Sequence, residues 1–199
     1  MNRKETLELL KDIIDEMTEI EFMNLQGLTL RANSRIARGK IEEANNTIKE
    51  NKLNKTIIAY VDGSFDKDKK LCGSGVVFLN SISDDKPITT IDFATEDKYN
   101  MWNIQGECEA CIKAIEVAID KGCSEIHIYH DYQGISSWVI KKGDDKREWK
   151  AKNEYTQGYV KRFDELSKKI KVKFVKVKGH SKDKWNDEAD KLARRSLGK

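Results

Sequence analysis

The sequence predicts an α/β protein: a mixed five-stranded sheet flanked by helices, preceded by an N-terminal helical hairpin. Three observations predict it. Residues 56–94 hold three short runs of strand-forming residues joined by polar, hairpin-like connectors. From residue 104 onward, helical periodicity alternates with strand alternation. Before residue 51 only helical periodicity is found. A meander followed by alternating helices and strands gives a mixed sheet with helices on its faces.

The elements follow in order. Over residues 3–21, Leu7, Leu10, Ile14 and Met17 recur at helical spacing, and Glu8, Asp12, Asp15 and Glu19 fill the other side. Gly27 marks a break. A second helix is expected over 29–50, with Leu30, Ala37, Ile41, Ala44 and Ile48 as its apolar side. These two helices must bury their stripes on the main domain or on another chain, so an oligomeric partner through them is one expectation. The polar connector at 51–55 divides the chain into an N-terminal segment, 1–52, and a main domain, 53–199. Strands are expected at 56–63, 72–80 and 88–94. A largely apolar helix follows over 104–121, ended by Gly122. Then come a strand at 125–130, helices at 133–141 and 151–168, a strand at 171–177 and a last helix at 184–196.

Composition bounds the function. At 199 residues the chain is one domain plus a small extra element. No run of apolar residues is long enough to span a bilayer, so no membrane partner is expected. Acids follow the N-terminal Arg3-Lys4 directly, unlike a signal peptide, and a cytoplasmic location is the expectation. The net charge of +3 is unevenly spread. Residues 1–50 carry eight basic and ten acidic residues, and the rest carry 29 and 24. If four of those acids gather around metal, the remaining surface is basic enough for a polyanion. Cys108 and Cys111 have redox or zinc spacing, but no second pair accompanies them.

The chemistry starts at Ile57-Ile58-Ala59-Tyr60-Val61-Asp62-Gly63-Ser64. This reads as a strand ending in a tight turn with Asp62 at or near its end. Asp, Gly and Ser are also ordinary turn residues, and that reading competes on this stretch alone. Three further acids fall on other elements: Glu107 in the first turn of a helix, Asp131 directly after a strand, and Asp190 in the last helix. Clustered carboxylates repel one another, and a hard divalent cation relieves that repulsion with all-oxygen ligands. Two such ions suit an in-line phosphoryl displacement.

These residues carry a resemblance. From Asn54 onward the chain resembles type 1 ribonuclease H, through Tyr-Val-Asp62-Gly-Ser, Gly106-Glu107-x-x-Ala110, Tyr-His-Asp131-Tyr-Gln133 and Lys-Gly-His180-x5-Asn186-x3-Asp190. The resemblance implies a ribonuclease H-like fold and an endonuclease that hydrolyses the RNA strand of RNA–DNA hybrids. It implies Asp62, Glu107, Asp131 and Asp190 as ligands of two Mg²⁺ ions, for which Mn²⁺ may substitute, and products with 5′-phosphate and 3′-hydroxyl ends. It places His180 on a mobile loop, aiding proton transfer or release. It also implies hybrid contacts by Gly63, Ser64, Asn103, Gln133, Trp138, Trp149 and Asn186. Glu109, a neighbour of Glu107, reads as a solvated side chain. Ile104 stands where the family often has a second Asn, and the basic protrusion near Trp149 is short. Two rivals remain: a nuclease of the same fold acting on DNA, and a hybrid-binding module without catalysis.

Overall fold

The computed structural model describes residues 3–17, 35–36, 38–40, 55–143, 146–179 and 183–199. The chain divides into two compact units, residues 1–50 and 51–199. In the first, helix α1 spans Arg3–Glu16. Residues 35–36 and 38–40 are helical, and the rest of the expected second helix lies outside the described residues.

The second unit is built on five strands: β1 (Thr56–Asp66), β2 (Leu71–Leu79), β3 (Thr89–Glu96), β4 (Glu125–His130) and β7 (Lys171–Lys176). A two-residue ribbon, β5 (Lys141–Lys142) and β6 (Lys146–Arg147), stands apart. The helices are α2 (Asn103–Asp120), α3 (Gly134–Ser137), α4 (Glu154–Leu166) and α5 (Lys184–Arg195). The strand order is β3-β2-β1-β4-β7. The first three strands are antiparallel, and β4 and β7 add in parallel on the other side of β1. The expected mixed five-stranded sheet is therefore the observed one.

The central strand departs from expectation. It does not turn at Asp62 but runs on to Asp66, because Asp62 through Asp66 pair one by one with Gly75 through Leu71 of β2. Hairpin pairing here overrides the low strand propensity of Asp, Gly and Ser. The parallel pairing with β4 stops at Tyr60–Tyr129. Beyond Tyr60, β1 is held on one side only, and its other edge opens toward the residues that follow β4.

Alternation along the strands sorts two cores. Ile57, Ala59 and Val61 join Ile126, Ile128 and the buried faces of α2 and α4. Ile58 and Tyr60 face Trp185, Ala189 and Leu192 of α5 on the opposite side. Helix α4 begins with a reciprocal cap, in which Asn153 Oδ1 accepts the Thr156 amide and the Thr156 hydroxyl accepts the Asn153 amide. Arg147 clamps the ribbon to α4 by donating to both oxygens of Asp164, at 2.7 and 2.6 Å.

The helix expected over 133–141 shrinks to Gly134–Ser137. A continuing helix would need the Ser137 carbonyl for the amide of residue 141. That carbonyl instead accepts the Trp149 amide at 2.9 Å, which draws the ribbon against the helix end.

Candidate active site

Three acids from three elements meet where β1 loses its parallel partner. Carboxylate oxygens of Asp62, Glu107 and Asp131 all lie within 4.8 Å of one another. Asp62 shares parity with Ile58 and Tyr60 and so belongs to the α5 side of the sheet, whereas Gly63 belongs to the α2 side. A Cβ at Gly63 would overlap the Asn103 carbonyl, the Glu107 amide and Glu107 Cγ. A Cβ at Gly106 would overlap the Gly73 carbonyl. These two bare positions let the start of α2 press onto the sheet and carry Glu107 to its partners. The buried Ser74 hydroxyl fixes the approach by donating to the Gly106 carbonyl at 2.8 Å.

The three acids differ in their support. The Gly63 amide donates to Asp62 Oδ1 at 2.7 Å. Even so, burial first and the Asp131 charge second push the Asp62 carboxyl up to about 7. Glu107 is fully enclosed, and burial followed by the charges of Asp62 and Asp131 holds it well above the carboxylate range. Glu107 Oε2 is buried with no hydrogen-bond partner. Asp131 receives the Asn186 side-chain amide at 3.4 Å, and its main-chain carbonyl accepts from Lys176 Nζ. An all-carboxylate set with mutual repulsion and an orphaned buried oxygen suits a hard divalent cation such as Mg²⁺ or Mn²⁺.

Asp190 is not part of this trio. Its carboxylate engages Arg194 on α5 through Nε and Nη2, both at 3.0 Å. It lies near enough for its charge to raise Asp62 further. The expectation of four gathered acids is thus met by three, with the fourth tied one helical turn along. Arg194, four residues on, offers Asp190 an (i, i+4) partner on its own helix.

His180 lies outside the described residues. The chain leading to it passes over the site, for a Cβ at Gly179 would lie 2.8 Å from Asp131 Oδ2. On the far side of that segment, Asp183 caps α5 by accepting the amides of Trp185 and Asn186. This places the buried Asn186 one turn into α5 and within reach of Asp131. His130, next to Asp131, is buried, and that burial lowers its pKa from the usual histidine value. Its Nδ1 donates to the Tyr132 carbonyl at 2.9 Å.

The residues expected to touch substrate are scattered around the trio. Asn103 is exposed at the start of α2, and Ser64 is half-buried in β1. Gln133 donates its side-chain amide to the Ser137 hydroxyl at 2.9 Å, so it is tied back onto α3. Trp138 is mostly core, 8% exposed and edge-on to Trp149 and Tyr159. Its free edge joins Trp149, Lys150 and Lys152 in lining a groove of about 490 Å³. Glu109 is not the solvated neighbour expected. It accepts from Arg162 through both oxygens, at 3.0 and 2.9 Å, and from the Tyr155 hydroxyl at 3.0 Å.

Sequence reasoning missed Ser74, Lys176 and the glycines flanking Ser74. The run Gly73-Ser74-Gly75 inside a strand was the available signal, since glycine there marks close backbone approach. A Cβ at Gly75 would overlap the Ala189 carbonyl, so α5 sits directly on β2. Lys176 had no signal, being one strand lysine among several.

Comparison with known proteins agrees with this architecture. The RNase H family model matches residues 54–197. The ribonuclease H of Ruthia magnifica subsp. Calyptogena magnifica is 34% identical over 154 residues, covering 74% of this chain and 98% of that protein. The ribonuclease H of Clostridium botulinum (strain Hall) is 33% identical over 97 residues, covering 46% of this chain and 64% of that protein's length. In structure, LC11-RNase H1 in complex with an RNA/DNA hybrid superposes with a TM-score of 0.57 at 19% identity, covering 71% of this chain and 96% of that one. With the family match spanning nearly the whole of the second unit, the chain belongs to the ribonuclease H family, as a type 1 member.

Proposed function

We propose that this chain hydrolyses the RNA strand of RNA–DNA hybrids without sequence specificity, leaving 5′-phosphate and 3′-hydroxyl ends. The observation that carries the reading is the trio Asp62, Glu107 and Asp131, its first two members buried and Asp131 half-buried, with an unpartnered Glu107 oxygen and an Asp62 carboxyl raised to about 7. The chain's membership of the ribonuclease H family and its likeness to a structure solved with a hybrid support the substrate.

In this proposal Asp62, Glu107, Asp131 and Asp190, the last freed from Arg194, would hold two Mg²⁺ ions, for which Mn²⁺ could substitute. Bound there, the ions would supply charge neutralisation and an activated water for an in-line displacement at phosphorus. The protein's own contribution is positional. Gly63 N–H fixes one Asp62 oxygen, Asn186 steadies Asp131, and the Gly63 gap delivers Glu107. His180 is assigned proton transfer or product release. Gly63 and Ser64 are assigned contacts to the RNA near the scissile phosphate, Asn103, Gln133 and Asn186 contacts to the hybrid, and the Trp138–Trp149 groove with its lysines the DNA strand. A hybrid is read by shape, phosphates and 2′-hydroxyls, which suits such a dispersed set of contacts. Residues 53–199 are assigned as the catalytic domain. Residues 1–52 are assigned a separate helical role, which includes pairing with another chain. A cytoplasmic location belongs to the same proposal; among the described residues no helix is long and apolar enough to cross a membrane.

The test is cleavage of matched RNA–DNA, RNA–RNA and DNA–DNA duplexes with Mg²⁺, Mn²⁺ or EDTA. Metal-dependent cutting of RNA in the hybrid alone is expected. Cutting of the DNA duplex would move the reading to a DNA nuclease. Binding of the hybrid without cutting under either metal would leave a binding module.

A further inference from the structure

The β1–β2 turn and the segment before α2 face each other across a cleft of about 470 Å³, lined by Phe65, Lys67, Lys70, Asp97, Asn100 and Trp102. Among the described residues, three non-glycine residues have left-handed backbone: Lys70 (φ 51°), Asn100 (φ 53°) and Trp102 (φ 56°). All three line this cleft. Left-handed backbone is costly for side-chain-bearing residues and persists only where the surroundings enforce it. Here they do. The Asp97 carboxylate accepts the Met101 amide at 2.9 Å and the Trp102 amide at 3.2 Å. The Cys72 thiol donates to the Trp102 carbonyl at 2.9 Å. On the other wall, Asp66 Oδ1 accepts the amides of Asp68 and Lys69 and fixes the turn that carries Lys67 and Lys70.

These bonds hold an indole out into solvent, 58% exposed, where an aromatic side chain would ordinarily seek cover. Beside it, Lys67 and Lys70 are exposed and form no ion pair with the described residues. Both oxygens of Asp97, the acid in the lining, are occupied by amides.

We propose that Trp102, with Lys67 and Lys70, is a stacking platform for an unpaired nucleobase on a single-stranded flank of the hybrid. The inference rests on the hybrid-nuclease reading. An exposed ring flanked by unpaired cations is the arrangement that binds single strands, the ring taking the base and the lysines the phosphates. A base inside a duplex is already stacked on both faces, so only an unpaired one gains from the indole. The cleft stands off from the acids: its wall residue Phe65 lies three residues beyond Asp62 on β1, about 10 Å at roughly 3.3 Å per residue.

The test uses the full chain in EDTA at low salt, so that no strand is cut. The probes are a blunt fluorescein-labelled RNA–DNA hybrid and the same hybrid with a six-nucleotide single-stranded flank of DNA or of RNA, at either end. The wild type is expected to bind at least one flanked hybrid about fivefold or more tightly than the blunt one. Trp102→Ala should bring that ratio to about one, and Trp102→Phe should keep part of it. A Lys67→Ala/Lys70→Ala double variant should reduce it and flatten its salt dependence. A wild-type ratio near one for every flank, or a ratio unchanged in Trp102→Ala, overturns the proposal. Should Trp102→Ala fail to fold by circular dichroism, the wild-type ratio and Trp102→Phe decide. Failure of the underlying reading shows differently, as no binding of the blunt hybrid, and the proposal falls with it.

Discussion

Arg194 holds Asp190 by two bonds of 3.0 Å along one turn of α5, while the other three acids crowd together without it. A half-exposed (i, i+4) ion pair is worth only about 0.3–0.5 kcal/mol. A divalent cation held by the other three acids would outcompete it for Asp190, at the cost of breaking the pair. Arg194→Gln should lower the Mg²⁺ concentration for half-maximal cleavage by about twofold, the pair's worth expressed as a ratio. Stability should change by less than about 0.5 kcal/mol. Calorimetric titration of the apoprotein with Mn²⁺ checks the same point without catalysis. Unchanged metal affinity would show that Asp190 is not a ligand or that Arg194 does not compete for it.

Asp131→Asn should abolish cleavage and retain hybrid binding. The substitution removes a negative charge from the trio while keeping its shape, and phosphate contacts elsewhere still supply affinity. Single-turnover cleavage and a gel-shift titration measure the two quantities. Full activity in this variant would sink the assignment of the metal site.

The apoprotein should lose stability as pH rises from about 4 to about 7. Asp62 has an unfolded value of about 3.9 and a folded value of about 7. Between these values the native state binds more protons than the unfolded chain, so stability falls with increasing pH; Glu107, also raised, adds to the fall in the same direction. Thermal melts in EDTA from pH 4 to 8.5 should show the fall. Asp62→Asn should melt higher than wild type at pH 8 and show a flatter profile. Saturating Mg²⁺ should restore the wild type at pH 8 and leave Asp62→Asn little changed.

Gly63→Ala should cost activity out of proportion to stability. The added methyl overlaps Asn103, the Glu107 amide and Glu107 Cγ, so α2 must move. Overpacking of this kind costs about 1–3 kcal/mol. A displacement of about 1 Å at a reacting group costs on the order of a hundredfold in rate. Chemical denaturation together with kcat distinguishes the two effects; equal wild-type and variant rates would remove Gly63 from the site's architecture.

Deleting residues 1–50 should leave cleavage largely intact, since residues 51–199 form a compact unit of their own. Affinity for the hybrid or the number of chains per particle, read as molar mass by sedimentation equilibrium, should change. Loss of folding on deletion would make the N-terminal segment part of the core.

Much of the fold was legible because the strands alternate and the helices carry apolar stripes at regular spacing. Ile126 and Ile128 announce β4, and Ala110, Ile112, Ala114 and Ile115 announce α2. What was not legible depends on partners distant in sequence. Nothing local in Asp62-Gly63-Ser64 says strand; the pairing with residues 73–75 does. The short α3 follows from a hydrogen bond between Ser137 and Trp149, and the tethering of Glu109 from Arg162, 53 residues later. The positions of three clustered acids were legible through motif order. The separation of Asp190 was available as an (i, i+4) acid–arginine pattern and went unread.

The sheet is a wall with one window in it. Asp62 projects on the α5 side and Glu107 arrives from the α2 side, and they meet only because Gly63 leaves an opening between them. Two packing systems that share no buried residue are thereby locked into one geometry at one missing methyl. Transplanting the carboxylates alone onto another sheet would rebuild half a site on each face. What must travel with them is the hole.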